Sequence, residues 1–109
     1  MPRLEQSQEF LHRQLAEIIN QEVALDGILL TVSFVELSPN LKQAKIGLSV
    51  LPDKFYGTAL AAVRQAGSRI RARLAKQLKW RLVPQLRWEI DDRPKQVAEL
   101  EEIFEQIKE

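Results

Sequence analysis

The sequence predicts a single α+β domain, residues 1–109, in which helix, strand, strand, kinked helix, strand and helix follow one another. Three observations predict it. Apolar residues recur at three- and four-residue intervals over Leu4 to Val23, Thr58 to Arg81 and Lys95 to Lys108, the period of an amphipathic helix. They alternate singly over Lys42 to Val50 and Gln85 to Ile90, the period of a strand with one buried face. A chain of 109 residues with 45% hydrophobic content can bury one core and is too small for a second.

In the first helix Leu4, Leu11, Leu15, Ile18, Ile19 and Val23 form the apolar stripe. Ala24-Leu25-Asp26-Gly27 ends it, with Gly27 suited to a positive φ. Ile28 to Leu37, ILLTVSFVEL, is β-branched and aromatic and bounded by Gly27 and Ser38-Pro39-Asn40, so it reads as a strand. Apolar residues on both of its faces suggest the centre of the sheet. Lys42 to Val50 reads as half-exposed, with Ala44, Ile46, Leu48 and Val50 inward, and the short connection makes the two strands an antiparallel hairpin.

Leu51-Pro52-Asp53 stops the second strand. Ala59, Leu60, Val63, Ala66, Ile70, Leu74 and Leu78 then keep helical spacing through the long segment. Gly67-Ser68 falls in its middle, where glycine costs about 1 kcal/mol relative to alanine and such pairs are kink sites. A bend is therefore expected at Ala66, Gly67 and Ser68. Val83-Pro84 closes the helical region, and Leu86, Trp88 and Ile90 alternate with Gln85, Arg87 and Glu89 in a third strand. Asp91 or Asp92 caps a last helix that turns Val97, Leu100, Ile103, Phe104 and Ile107 inward and Glu99, Glu101, Glu102 and Glu105 outward.

The formal net charge of +1 conceals a segregation. No acid occurs between Asp53 and Glu89, and those 35 positions carry nine cations: Lys54, Arg64, Arg69, Arg71, Arg73, Lys76, Lys79, Arg81 and Arg87. A +9 segment is thus joined to a remainder of −8. A run of Arg and Lys can be a plain solvated helix face, but such faces are usually laced with acids at i±4. Here there are none, and a one-sided positive potential attracts a polyanion, nucleic acid first.

The composition excludes other chemistry. Cysteine is absent, so disulfides and thiolate metal sites are excluded. The single His12 reads as a surface residue, because no orienting partner stands beside it in sequence. No convergent acid, base, nucleophile, metal or cofactor set is visible, and an enzyme is not expected. The N-terminal MPRLEQSQEFLHR has no signal-peptide run, and no stretch approaches the roughly 20 apolar residues of a membrane span. The expectation is a cytoplasmic protein without a membrane or small-molecule partner.

Two stretches carry a family resemblance: LLTVSFVELSPNLKQAKIGLSVL, Leu29 to Leu51, and ALAAVRQAGSRIRARLAKQLKWRLVPQLRWEID, Ala59 to Asp91. With Ile70-Arg71, the Leu-Lys-Trp-Arg run at Leu78 to Arg81 and Pro84-Gln85-Leu86 in the family's order, the chain resembles ribosome-binding factor A. The resemblance implies a type-II KH-like fold, a three-stranded sheet covered by helices, in which a bend at Ala-x-Gly replaces the usual Gly-x-x-Gly loop. Here the triplet is Ala66-Gly67-Ser68, with its glycine one place early. Pro39-Asn40-Leu41 also departs from the family's Asp-Leu pair.

The resemblance further implies a non-catalytic monomer that binds the immature small ribosomal subunit and its ribosomal RNA and aids late maturation, including processing of the RNA's 5′ end. The candidate RNA-binding residues are Arg64, Arg69, Arg71, Arg73, Lys76, Lys79, Arg81 and Arg87. Arg69, Arg73 and Lys76 share one helix face, and Lys79, Arg81 and Arg87 extend the patch toward the third strand. Trp80 is a possible stacking platform, and Trp88 reads as packing. The alternative is a KH-like nucleic-acid or protein-interaction module with no role in ribosome maturation.

Overall fold

A computed structural model describes residues 4–93 together with Leu100, Glu101 and Ile103. Helix α1 (Leu4–Glu22) is followed by strands β1 (Leu29–Leu37) and β2 (Gln43–Leu51), and a single 3-10 turn (Asp53–Phe55) leads into α2 (Tyr56–Gln65). Helix α3 (Gly67–Leu78) and strand β3 (Gln85–Ile90) complete the order. In α1 the stripe Leu11, Leu15, Ile18 and Ile19 is fully buried, whereas Leu4 is exposed and Ser7 occupies the buried position near the helix start. The chain reverses after α1 at Gly27, whose φ of 73° lies where side chains are disfavoured.

The sheet order is β1-β2-β3. Strand β2 is therefore central and β1 an edge, contrary to the expectation that apolar residues on both faces of β1 mark the centre. The cause is a β-bulge. Val32 pairs with Leu48 and Phe34 with Gly47, so Ser33 is an extra residue, and the inward set changes from Leu30 and Val32 to Val35 and Leu37. A one-residue slip flips each following side chain, so one buried face looks like two in the sequence.

Helix α1 covers this edge. His12 donates from Nε2 to the Val32 carbonyl at 2.9 Å, and Gln8 Oε1 accepts the Leu37 N–H at 2.8 Å. The two side chains lie four residues apart and so share a helix face. His12 is thus half-buried and tied to β1 rather than free on the surface. Such cover satisfies strand groups that would otherwise template pairing with another chain.

Strands β1 and β2 form the antiparallel hairpin, closed by Ser38 N–H to the Gln43 carbonyl at 2.8 Å. Asn40 Oδ1 braces the turn by accepting from Ser38 Oγ and from Lys42 N–H. Strand β3 pairs with β2 in parallel, from Gln43 opposite Gln85 to Leu48 opposite Ile90. A parallel return needs a crossover, which α2 and α3 supply. Their buried residues Ala59, Val63, Ile70, Leu74 and Leu78 join those of α1 and the sheet in one core.

The crossover helix is interrupted at Ala66 (φ −84°, ψ 1°), within the triplet where the bend is expected. The two halves pack on different partners: α2 lies on β3 and β2, and α3 lies along α1. Ala66 itself is buried, and Gly67 has no positive φ. The helical run ends at Leu78, three residues before Arg81, because Lys79 turns left-handed with φ 55°.

Arg93, Leu100, Glu101 and Ile103 are helical. Leu100 and Ile103 are exposed rather than inward. The remaining positions assigned to the last helix, among them Val97, Phe104 and Ile107, lie outside the described residues. At its start Asp91 accepts the Arg93 backbone N–H at 3.1 Å, as a capping residue does, and grips the Arg93 guanidinium at 2.8 and 2.9 Å. That guanidinium lies 4.8 Å from the centre of the Phe34 ring, and the same ring lies against Gly47.

The two glycines at these places should respond oppositely to alanine. A Cβ on Gly47 would enter the space of the Phe34 ring, whereas one on Gly67 meets nothing within 4 Å. Urea unfolding should show Gly47→Ala destabilised by about 1–3 kcal/mol and Gly67→Ala unchanged or stabilised by up to about 1 kcal/mol. A loss at Gly67 would mean that the break needs glycine itself.

Candidate nucleic-acid interface

With Ile70, Leu74 and Leu78 turned into the core, the 3.6-residue period places Arg69, Arg73 and Lys76 on the outward side of α3. Two of these cations have an acid partner from α1. Arg73 Nη1 donates to Glu22 Oε1 at 3.0 Å and its Nη2 donates to Gln21 Oε1, while Arg69 Nε donates to Glu22 Oε2 at 3.2 Å. The acid missing at i±4 is supplied across space. Its signal in the sequence was a carboxylate in the last turn of α1 with no base beside it, an unfavourable place for an anion at the negative end of a helix dipole.

Arg71 performs a third task. Its Nη1 donates to the Pro84 carbonyl at 3.1 Å and its Nη2 to the Val83 carbonyl at 3.2 Å. One planar fork thereby spans two successive carbonyls and fastens α3 to the segment entering β3. The candidate cations that remain on the crossover are Arg64, Lys76, Lys79 and Arg81, all exposed and without an ion-pair partner among the described residues. Lys54, the ninth cation of the acid-free stretch, lies 5.0 Å from the Phe55 ring centre.

Arg87 is not brought to this group. Leu86, Trp88 and Ile90 turn toward the core, so Arg87 points from the opposite face of the sheet, in register with Lys45, which pairs with Glu36 at 3.9 Å. Trp80 and Trp88 are both partly buried against the core. Tyr56, at the start of α2, is the aromatic side chain that sequence reasoning passed over, and it is exposed. The start of α3 has no side-chain cap, so a positive helix end adjoins Ala66, Gly67 and Ser68.

The ionic ties also set the acid response. The Arg73 guanidinium first, with Arg69 behind it, holds the Glu22 carboxyl below the usual carboxylate range. Arg93 does the same to Asp91, whose side chain is almost buried. Among the described residues no group of three or more His, Cys, Asp or Glu could hold a metal ion. No helix among them is long and apolar enough to cross a membrane.

A mixed three-stranded sheet backed by α1 and by a crossover helix interrupted at an Ala-Gly step defines a type-II KH-like domain. The profile of ribosome-binding factor A matches residues 3–104, and the chain belongs to that family. Ribosome-binding factor A of Chloroherpeton thalassium is 26% identical over 105 residues, 94% of this chain and 84% of that protein. The crystal structure of the Thermus thermophilus ribosome-binding factor A superposes with a TM-score of 0.70 at 28% identity, covering 81% of this chain and 94% of the other. A homology model of the Thermus thermophilus factor, fitted into the cryo-electron-microscopy map of a 30S–RbfA complex, gives 0.69 at 29% identity, covering 78% and 91%.

Two measurements check this description. Lys79 in the left-handed region carries a backbone cost that glycine does not, so Lys79→Gly should raise the thermal midpoint. For Glu22 and Asp91 the folded-state pKa lies below the unfolded one, so their stabilisation is present at neutral pH and is lost as pH falls below about 4. The Glu22→Gln, Asp91→Asn double variant should therefore be less stable than wild type at pH 7 and show a flatter acid limb in urea titrations. Parallel acid limbs would exclude these two groups as the origin.

Proposed function

We propose that the protein binds the small ribosomal subunit through its ribosomal RNA and aids late maturation, including processing of the RNA's 5′ end, as a non-catalytic cytoplasmic monomer. The observation that carries this reading is the set of exposed cations Arg64, Lys76, Lys79 and Arg81, without an ion-pair partner among the described residues, on a KH-like crossover. Their guanidinium and ammonium groups suit phosphate. The Thermus thermophilus relative fitted into the map of a 30S–RbfA complex supports the same partner. Arg69 contributes its outer edge to this face, and Arg71 and Arg73 hold it in place.

Phosphate contacts release counterions, and each contributes about 0.7–0.9 to the slope of log affinity against log salt. In co-sedimentation with small-subunit particles, the Arg64→Ala, Lys76→Ala, Arg81→Ala triple variant should bind more weakly and lose about 2 to 3 units of slope. Lys45→Ala, on the sheet face opposite the core, should change little. Equal losses from both would show bulk charge at work rather than a site. Recovery with mature and immature particles alike would separate RNA binding from a maturation role.

A further inference from the structure

Two arginines on successive turns of α3 present different amounts of unused donor capacity. A guanidinium has five N–H donors in a fixed fork. Arg73 uses both terminal nitrogens, one on Glu22 and one on Gln21, and its side chain is 34% exposed. Arg69 uses only Nε, on the other oxygen of Glu22, and is 62% exposed. Both terminal amino groups of Arg69 are without a partner among the described residues.

Holding a guanidinium at Nε restricts its plane while leaving the opposite edge outward. That edge, two parallel N–H groups, matches two oxygens of a phosphate. The same Glu22 carboxylate sits between two cations that would otherwise repel at i, i+4, so it keeps the fork of Arg69 in place near a second positive charge. Lys76, next on the same face, brings a point charge without such a fork.

We propose that these neighbours have separate roles: Arg69 is the phosphate-binding fork of the α3 face, and Arg73 is a positioning residue that fastens α1 to α3 and does not touch RNA. This rests on the reading that the face binds the RNA backbone. It adds that one cation of an apparently uniform row is withdrawn from binding. The acid that withdraws it also orients its neighbour.

Affinity for purified small ribosomal subunits, measured between about 50 and 200 mM salt, tests the division with Arg69→Ala, Arg73→Ala and Lys76→Ala. Arg69→Ala should make the slope shallower by about 0.7–0.9 with a melting temperature near wild type. Arg73→Ala should lower the melting temperature and keep the slope. If Arg73→Ala does not fold, Arg73→Gln, which retains a donor for Glu22, gives the same slope reading. Equal slope losses at Arg69 and Arg73 in folded protein would overturn the division. An unchanged slope for Arg69→Ala beside a shallower one for Lys76→Ala would overturn it and leave the RNA-binding reading intact, whereas no change in any variant would overturn both.

Discussion

A three-stranded sheet has two faces, and among the described residues this one places its core on a single face, with Ala44, Ile46, Leu48 and Val50 of the central strand at its middle. The helices must cover that face, and their arrangement follows from it. Because β3 runs parallel to β2, the connection has to travel back across the sheet. One straight helix from Tyr56 to Leu78 would run about 34 Å along a single line and could not cover β3 and lie along α1 at once. Interruption at Ala66 allows both, with α2 over β3 and β2 and α3 beside α1.

The same constraint arranges the charges. Once Ile70, Leu74 and Leu78 are committed to the core, Arg69, Arg73 and Lys76 must share the outward side of α3, where like charges repel. Packing α3 along α1 brings Glu22 to two of them. Glu22 needs them in turn, since a carboxylate at the end of a helix faces the negative pole of its dipole. Each helix thus relieves an electrostatic fault of the other. The positive charge left over is smaller than the nine cations of the sequence suggest.

What was legible in the sequence was what depends on local period. Gln85–Ile90 was bounded as observed, the hairpin and the break at Ala66 were placed, and the family was visible in two stretches. The edge position of β1 was hidden because one inserted residue, Ser33, makes an edge strand look apolar on both faces. The partners of Arg69 and Arg73 were hidden for a different reason: no period links Glu22 to residues 47 and 51 positions away. Arg87 was readable and misjudged, for its alternation with Leu86 and Trp88 already turned it away from the covered face. His12 shows the converse case, a residue without a sequence neighbour that finds its partner on β1.

With Trp80 and Trp88 packed against the core, the cationic face has few means of reading bases. Tyr56 is exposed, but it stands at the far end of α2, about 15 Å before the break along the helix axis. What the face does offer is a set of charges at fixed separations. Arg71 fixes the segment carrying Lys79 and Arg81 by holding the carbonyls of Val83 and Pro84, and Glu22 fixes the α3 row. Selectivity on such a surface has to come from spacing, because phosphate contacts orient a nucleic acid without reporting its sequence. The spacing is set by ties that involve candidate binding residues themselves, so arginines held in those ties, by the division proposed above, would help determine which RNA shape fits.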